Sequence, residues 1–332
     1  MSPTVRWIDI GLVSPSVFHS TYIGLAEHQA RTDAPILLWG RTTGHICLGQ
    51  HQHGSVELRQ PHGVPVLQRP LGGGTVWVDE NQYCFVWIVP LDHARGRPQQ
   101  WFEWGLAPAL ATYRQFGLNV MRQDQDIWLD GRKIGGSGAA TIGQCAVLAA
   151  SFLMLFPVDR FAQCVACPSD GFRAWLVASL RGAMTDWQTH QVVPQEEGLA
   201  QVFRGHVETC PGWRSVDSSL TQDEVQARQD ALTEVAELEP SAGKRLVPDG
   251  IKLNARTFLT EKHEAGHWVR VLTKNGKFAR IQLSREVPRD GLELLALCAP
   301  ESSALRDVLA GSMPQDEACY WAEFIMRAAC FQ

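Results

Sequence analysis

The sequence predicts an α+β protein in two parts, a large domain over residues 1–240 and a small domain over residues 248–332. Strand-like and helix-like stretches alternate through the first two-thirds of the 332-residue chain. A segment with the composition of a linker, PSAGKRLVPD at residues 240–249, then precedes a hairpin and two helices. At roughly 100–200 residues per domain, the length allows one large core or two domains.

Short apolar runs bounded by glycine and turn residues predict the strands of the large domain. These runs lie at residues 36–39, 45–48, 64–68, 74–78, 83–89, 126–129 and 131–134. Asp130-Gly131 between the last two is a hairpin signal. Helices are predicted at residues 99–116, where Pro108 would bend the helix, and at residues 171–184. A third helix opens with the capping box Thr221-x-x-Glu224 and runs to about residue 239.

The small domain has a different pattern. Residues 267–273 and 277–283 are strand-like, and Asn275-Gly276 between them is the strongest short hairpin signal. Two helices at residues 302–310 and 315–330 close the chain. The last one carries an apolar face formed by Trp321, Phe324, Ile325 and Ala328.

Composition excludes several classes of protein. The formal net charge is −5 and the pI about 6.1, which do not suggest a nucleic-acid partner. The apolar stretches at residues 83–91 and 146–156 are shorter than the roughly 20 residues that span a bilayer, so they predict buried strands and no membrane partner. The N-terminus lacks a secretory pattern. Nine scattered cysteines, an odd number, indicate free thiols and a reducing cytoplasm.

Two glycine-rich segments carry the candidate chemistry. In the first, Arg69 precedes Gly72, Gly73 and Gly74, where the absence of side chains lets the backbone approach a ligand and its N–H groups bind an anion. Arg69 offers a planar donor for an oxyanion. Taken alone, this segment is equally well explained as a tight turn between strands, because it matches neither GxxxxGK[ST] nor GxGxxG.

The second segment runs from Asp126 through Lys133 to Gly138 (DIWLDGRKIGGSG). The predicted hairpin delivers Lys133 beside further glycines, where its ammonium group is suited to stabilising a developing oxyanion. On its own, such a lysine would be taken for a surface residue on a β-turn.

Together the two segments resemble the lipoate–protein ligases, in the group that also contains octanoyl transferases and biotin–protein ligases. The family pattern Arg-x-x-Gly-Gly-Gly-x-Val, an aromatic residue and Asp appears as RPLGGGTVWVD at residues 69–79. The pattern Gly-Arg-Lys-[Ile/Val]-x-Gly-Ser-[Ala/Gly] appears as GRKIGGSG at residues 131–138 and is the most specific part. Leu48-Gly49 and the following Gln52 resemble the family's preceding strand pair, and the resemblance covers roughly residues 20–185.

The resemblance implies a mixed β-sheet catalytic domain of the biotin/lipoate–protein ligase type with a small C-terminal α+β accessory domain. It also implies ATP-dependent formation of lipoyl-AMP from lipoate with Mg²⁺, and transfer to a lysine of a carrier protein. Lys133 is the implied catalytic residue. The implied substrate- and adenylate-binding residues are Arg69, Gly72, Gly73, Gly74, Thr75, Val76, Trp77, Asp79, Asp126, Gly135, Gly136, Ser137, Gly138 and Ala150. Trp77, Phe85 and Trp87 would neighbour the acyl tail.

The family's acceptors are the lipoyl domains of E2 subunits, the glycine-cleavage H protein or a related lipoate-binding protein, and we expect one of these as the partner of a cytoplasmic monomer. The sequence departs from the family pattern at several positions. Ala149-Ala150 stands where many ligases have His-Gly, Leu71 replaces Ser or Thr, Gln68 replaces an arginine and Val78 replaces a histidine. These changes make the pocket more apolar and leave Arg69 and Lys133 in place.

Two alternatives remain open from the sequence. Cys164 and Cys167 lie near the position of the acyl-thioester nucleophile of octanoyl transferases, so a cysteine-dependent octanoyl or lipoyl transferase is the second hypothesis. The missing His-Gly motivates a third, a non-catalytic module that binds acyl groups or carriers.

Biotin ligation is disfavoured because GRGRxGR is absent. His263-Glu264-Ala265-Gly266-His267 formally reads HExxH, although its strand-like context argues against a zinc hydrolase. His51 and His53 are interpreted as a polar surface run.

Overall fold

The computed structural model describes residues 4–61, 63–237, 243–254, 256–288, 295–296, 298 and 300–331. Packing divides the chain into two compact units. The first comprises Met1–Gly54, Gly63–Val158 and Arg181–Ser241, and the second comprises Ser55–His62, Asp159–Leu180 and Ala242–Gln332. Two short segments from the first 240 residues therefore join the C-terminal unit. The assignment of separate functions to residues 1–240 and 248–332 stays a prediction, and residues 240–242 of the predicted linker lie outside the described residues.

The strands follow in chain order. They are β1 (Thr4–Val13), β2 (Ile36–Thr42), β3 (His45–Leu48), β4 (Val66–Gln68), β5 (Val76–Val78), β6 (Gln82–Pro90), β7 (Met121–Gln123), β8 (Asp126–Leu129), β9 (Arg132–Gly135), β10 (Ser137–Ile142), β11 (Cys145–Leu153), β12 (Arg214–Asp217), β13 (Gly250–Asn254), β14 (Thr257–Glu264), β15 (His267–Lys274) and β16 (Lys277–Leu283).

The α-helices are α1 (Pro15–His28), α2 (Gly54–Glu57), α3 (Pro98–Gln115), α4 (Val158–Cys164), α5 (Asp170–Ala183), α6 (Glu196–Thr209), α7 (Gln222–Glu237), α8 (Ser302–Leu309) and α9 (Gln315–Ala328). A 3-10 turn spans Gln188–His190. In the described part of the chain, no helix combines the length and apolar character that crossing a bilayer would require. None of the nine cysteines, all of which lie in the described part of the chain, is in a disulfide.

A six-stranded mixed sheet forms the centre of the first unit, with the order β10-β11-β6-β2-β1-β12. Strand β1 lies parallel to β2 and β12, and the remaining neighbours are antiparallel. Two smaller three-stranded sheets, β4-β3-β5 and β7-β8-β9, carry the two glycine-rich segments. The predicted α+β fold with a mixed sheet is confirmed.

Both faces of the large sheet are buried, as the alternation along β6 shows. Phe85, Trp87 and Val89 point into a core shared with α3 and α6, whereas Val86 and Ile88 point into a second core shared with α1 and α7. The sheet is therefore held between two pairs of helices, which fixes the position of β6 and β10, the strands that adjoin the two glycine-rich segments in the chain.

The capping box at the start of α7 is confirmed. The N–H of Thr221 donates to the Glu224 carboxylate at 2.8 Å, and the N–H of Glu224 donates to the Thr221 hydroxyl at 3.2 Å. Such a cap contributes about 1 kcal/mol to helix stability. The Glu224 carboxylate also bonds Arg6 on β1. The pKa of Glu224 is lowered, because these hydrogen bonds outweigh the burial that would raise it.

The second unit contains an antiparallel sheet, β13-β14-β15-β16, together with α8 and α9. The predicted Asn275-Gly276 hairpin is present, and both residues have positive φ, 53° and 70°. The apolar face predicted for the last helix is buried against β15 and β16. The HExxH sequence spans the turn between β14 and β15, which confirms that it does not form a metalloprotease helix.

Several elements carry no prediction from the sequence, among them β1, α1, α6, β13 and β14. Helix α1 is buried at ten of its fourteen positions. A helix buried on most sides lacks the alternating apolar and polar faces by which a sequence pattern reveals a helix. Helix α6 buries only Leu199, Phe203 and Val207, a sparse pattern that a polar segment precedes. Tertiary packing, not local periodicity, decides these elements.

The contact between α1 and α7 provides a test of this packing. A Cβ added to Gly24 would lie 2.4 Å from the backbone oxygen of Ala227, so we expect Gly24→Ala to destabilise the protein by about 1–3 kcal/mol. Urea unfolding followed by circular dichroism measures the difference. Gly205 in α6 has open space at the same position, so Gly205→Ala should stabilise by roughly 0.5–1 kcal/mol. A Gly24→Ala variant as stable as the wild type would contradict so close an approach of the two helices.

Candidate active site

The first half of the site is the loop at residues 69–75, here termed the glycine loop, which connects β4 to β5. Both strands flank β3, with β4 parallel and β5 antiparallel to it. The loop is anchored by Leu71, whose side chain is 2% exposed and packs in the core beneath α1. Gly73 has a φ of 101°, a conformation that favours glycine.

Arg69 holds the glycine loop from behind. Its Nη1 donates to the Cys47 carbonyl at 2.9 Å and to the Cys47 sulfur at 3.5 Å. Its Nη2 donates to the carbonyls of Gly72 at 3.1 Å and Gly74 at 2.8 Å. Because the guanidinium group already makes four hydrogen bonds, the geometry gives Arg69 a structural role, and direct binding of a substrate oxyanion by Arg69 stays a prediction.

The orientation of the two carbonyls decides where the neighbouring N–H groups point. In a planar trans peptide, C=O and N–H point in opposite directions. With the carbonyls of Gly72 and Gly74 facing Arg69, the N–H groups of Gly73 and Thr75 point away from it. Among the described residues, none accepts a hydrogen bond from these two N–H groups. They form a small array of donors suited to a phosphate or carboxylate oxygen.

A neighbouring loop packs tightly against the glycine loop. A Cβ on Gly49 would lie 2.2 Å from the Gly73 carbonyl oxygen, so this position admits only glycine without movement of the backbone. The Gln68 amide donates to the carbonyls of Gly49, Gln50 and Gln52 at 2.9–3.3 Å. Gln68, which replaces the family's arginine, therefore supports the loop, a role for which no sequence pattern provides a signal.

The second half of the site is the β8–β9 hairpin with the chain that follows it. Asp130 and Gly131 both have positive φ, as the predicted turn requires. The Lys133 ammonium group lies 2.8 Å from the Asp126 carboxylate, with side chains only 16% and 8% exposed. The Lys133 carbonyl accepts a hydrogen bond from the Thr185 N–H at 2.8 Å, which fixes the strand. An ammonium group has three donors, so the Asp126 contact leaves donors for a ligand.

The two halves adjoin through the glycines after Lys133. A Cβ on Gly136 would lie 3.1 Å from the Lys133 nitrogen. Two residues on, a Cβ on Gly138 would lie 3.6 Å from the Gly72 carbonyl oxygen and 3.5 Å from the Leu71 Cβ. The lysine ammonium group and the glycine loop thus adjoin one short strip of backbone, Gly135–Gly138, in which only Ser137 carries a side chain.

The other predicted residues have varied surroundings. The Asp79 carboxylate is buried and accepts hydrogen bonds from the Trp77 indole at 2.7 Å and the Asn81 N–H at 2.9 Å, so both side chains support the start of β6. Thr75 accepts from Gln52 at 2.9 Å. Ser137 donates to the Gln125 carbonyl. The substrate contacts expected of these residues, and of Val76, Gly135 and Ala150, stay predictions.

The sequence places Phe85 and Trp87 beside the expected acyl tail and Ala149-Ala150 where many ligases have His-Gly. Phe85 and Trp87 have no exposed surface and pack among aromatic residues of the core, including Phe203 and Trp213. In place of the His-Gly pair, Ala150 and Ala149 lie directly opposite Ser137 and Gly138 in the β10–β11 ladder. Small side chains therefore continue from the strip after Lys133 onto the neighbouring strand.

Cys164 and Cys167 belong to the second unit, at the end of α4 and just beyond it. Burial raises the pKa of both thiols, although nearby arginines act in the opposite direction. A thiol with a raised pKa is a poor nucleophile near neutral pH, because the thiolate is the reactive species. The electrostatics of this pair do not favour covalent acyl transfer.

The residues behind Arg69 were not singled out from the sequence. Burial alone would raise the pKa of Cys47, but Arg69 and His45 outweigh it and the pKa is lowered. Burial, with a contribution from Arg69, lowers the pKa of His19 to about 3. His45 and Cys47 are two positions apart on one strand, so the sequence indicates that their side chains point to the same side of the sheet. The approach of His19 from α1 was not visible in the sequence.

A family model described as the lipoyl protein ligase A/B catalytic domain matches residues 21–201, more than half of the chain, and the chain belongs to this family. A comparison with curated proteins finds no match.

Several solved structures share the fold. The bipartite lipoate protein ligase of Thermoplasma acidophilum, described with its E2 lipoyl domain, matches with a TM-score of 0.66 at 17% identity over 74% of this chain and 100% of that one. A lipoate-protein ligase A bound with ATP matches at 0.59 and 15% identity, over 70% and 95%. P. falciparum LipL1 in complex with lipoate matches at 0.56 and 13% identity, over 98% and 99%.

The close approach of Gly49 to the glycine loop gives a direct test. We expect Gly49→Ala to destabilise the protein by about 1–3 kcal/mol, because its new methyl group would collide with the Gly73 carbonyl. The free energy of unfolding in urea provides the measurement. Gly72→Ala is the matched control: a Cβ there meets nothing within 4 Å, so its effect on stability should be much smaller. Equal losses for the two variants would argue against this packing.

Proposed function

We propose that this protein is a lipoate–protein ligase, which activates lipoate with ATP and transfers the lipoyl group to a lysine of a lipoyl carrier protein. One observation carries the proposal. The ammonium group of Lys133 and the glycine loop both adjoin the glycines of one short segment, since a Cβ on Gly136 would lie 3.1 Å from the Lys133 nitrogen and a Cβ on Gly138 would lie 3.6 Å from the Gly72 carbonyl oxygen. Lys133 and the N–H groups of Gly73 and Thr75 are the donors that these elements offer. A mixed anhydride of a carboxylic acid and a phosphate needs such donors on both its carbonyl and its phosphate oxygens.

In the first half-reaction, a carboxylate oxygen of lipoate attacks the α-phosphorus of ATP. A carbon-bound oxygen becomes bonded to phosphorus, and pyrophosphate leaves with the electrons of the broken P–O bond. Negative charge builds up on the α-phosphate oxygens. Lys133, held in place by Asp126, would stabilise this charge, and the N–H groups of Gly73 and Thr75 would orient the phosphate.

In the second half-reaction, the ε-amine of the acceptor lysine attacks the carbonyl carbon of lipoyl-AMP. The new C–N bond forms, the C–O bond to phosphate breaks, AMP leaves and the amine loses a proton. Charge now develops on the carbonyl oxygen, within reach of the same donors. The strip from Gly135 to Gly138, three glycines and Ser137, would leave room for the acyl chain together with Ala149 and Ala150 on the next strand.

The structural neighbours support the choice of ATP and of the acceptor. One neighbour, a lipoate-protein ligase A, is bound with ATP, and another is complexed with lipoate. A third is described together with its E2 lipoyl domain. We therefore assign a lipoyl domain as the acceptor class, with an H protein or a related lipoate-binding protein as further candidates. We also propose that the protein acts as a cytoplasmic monomer and that the second unit serves the activation step.

Mg²⁺ would enter with ATP. Mg²⁺ is usually held by substrate phosphates together with one or two carboxylates. Asp126 is the carboxylate adjoining Lys133, and it has a second oxygen besides the one paired with the lysine. This donor set fits an ion bound mainly through phosphates, whose charge it would help to neutralise.

The proposal predicts that Lys133→Ala loses pyrophosphate release. Removing a single oxyanion donor typically costs a factor of about 10² to 10³ in rate. Pyrophosphate release is measured with lipoate and ATP, and carrier modification is measured by mass spectrometry. Lys277→Ala, which removes the same charge from the tip of the β15–β16 hairpin, should leave both rates unchanged.

Circular dichroism and the unfolding midpoint should show that the Lys133→Ala variant is folded, because its backbone bond to Thr185 is retained. Unimpaired pyrophosphate release in this variant would refute the role of Lys133. Wild-type protein that binds lipoate tightly but neither releases pyrophosphate nor modifies a carrier would support the non-catalytic hypothesis instead.

A separate prediction concerns the cysteine-dependent transferase. Because burial raises the pKa of Cys164 and Cys167, we expect both Cys164→Ser and Cys167→Ser to retain ATP-dependent lipoylation. Incubation with an octanoyl thioester of a carrier protein should give no covalent acyl-enzyme by intact-mass measurement. Octanoyl transfer without ATP that is lost in either serine variant would establish the transferase in place of the ligase.

A further inference from the structure

Three side chains capable of binding a metal ion meet behind the glycine loop. His19 lies on α1, and His45 and Cys47 lie on the same face of β3. They are 5%, 0% and 1% exposed. Their ligand atoms all lie within 4.8 Å of one another, and the two Nε2 atoms are 3.2 Å apart. Among the described residues, this is the one group of three or more His, Cys, Asp or Glu side chains that could hold an ion.

Outer contacts orient these side chains. The Nδ1 of His45 lies 3.0 Å from the Thr43 carbonyl, which can only accept, so Nδ1 carries the proton and Nε2 has a lone pair. The Nδ1 of His19 lies 3.1 Å from the Tyr22 hydroxyl. Arg69 donates to the Cys47 sulfur. Contacts of this kind, which fix the tautomer of a histidine and stabilise a thiolate, surround metal ligands in proteins.

The separation of the two imidazole nitrogens fits a bound ion. Two imidazole nitrogens at 2.0–2.1 Å from one metal in tetrahedral geometry lie about 3.3 Å apart, close to the observed separation. Without an ion, a chain of hydrogen bonds from Tyr22 through His19 to His45 would satisfy the ring nitrogens, and a protonated Cys47 thiol would donate to the Leu48 carbonyl at 3.9 Å. Metal binding by this group is therefore decided by direct measurement. Two imidazoles and a thiolate suit Zn²⁺ or Cu⁺, whereas Mg²⁺ and Ca²⁺ prefer oxygen ligands.

We propose that His19, His45 and Cys47 form a buried binding site for a thiophilic metal ion, Zn²⁺ or Cu⁺. The ion joins α1 to β3 and serves the structure, since none of the three side chains borders the strip beside Lys133. The site is linked to the glycine loop, because the Cys47 carbonyl and sulfur both accept hydrogen bonds from Arg69. The inference does not depend on the reaction that the protein catalyses.

The test uses the full chain and measures metal directly. Metal analysis of protein purified without chelators should give about one equivalent of zinc or copper per chain. After removal of the metal under reducing conditions, titration with Co²⁺ should give one tightly bound ion with visible d–d bands and a near-ultraviolet thiolate-to-cobalt charge-transfer band. Zn²⁺ should displace the cobalt. An anaerobic Cu⁺ titration against a competing chelator distinguishes the two ions.

Variants identify the ligands. Cys47→Ser should abolish the charge-transfer band, and His45→Gln should weaken cobalt binding. Cys145→Ser is the control, because Cys145 is equally buried but bonds Gln29 and is not a member of the three-residue group, so it should leave the spectrum unchanged. If Cys47→Ser does not fold, the wild-type and Cys145→Ser spectra still decide. Wild-type protein that binds none of these ions stoichiometrically, or a charge-transfer band that survives in folded Cys47→Ser, would overturn the proposal.

Discussion

The hydrogen bonds of Arg69 determine the shape of the glycine loop and, through it, the geometry of the whole site. One guanidinium group binds three carbonyl oxygens and a sulfur in a partly buried position. A buried carbonyl left unsatisfied costs on the order of 1–3 kcal/mol, so the loop is strongly held in this conformation. With the carbonyls of Gly72 and Gly74 facing Arg69, the N–H groups of Gly73 and Thr75 point away from it.

Lys133 adds a positive charge to these fixed donors. Because it sits on a hairpin strand held by Asp126 and by the Thr185 N–H, its position is set before any substrate arrives. Donors that need no rearrangement are those that stabilise a developing charge most effectively. The large sheet, buried between two pairs of helices, contains β6, which follows the first glycine-rich segment in the chain, and β10, which contains the end of the second.

The residues that differ from the family pattern have structural roles of their own around the glycine loop. Gln68, in place of an arginine, supports the adjoining loop through three carbonyls. Leu71, in place of a hydroxyl residue, anchors the glycine loop in the core. Cys47 joins the loop to a second cluster of polar side chains beneath it. The site therefore retains its main-chain geometry although several side chains around it differ from the pattern.

The sequence by itself determined the features that depend on neighbours in the chain. Turn pairs such as Asp130-Gly131, the capping box at Thr221 and the strands β3 and β8 were predictable, because positive φ, helix capping and short apolar runs are local properties. The two glycine-rich motifs were sufficient to suggest the family. Tertiary structure decided the rest. Helix α1 has no sequence pattern of its own, because tertiary packing buries most of its positions. Arg69 binds backbone carbonyls of two separate segments, and these contacts depend on the fold and not on a local pattern. His19 and His45 met although 26 residues separate them, because a helix and a strand pack together.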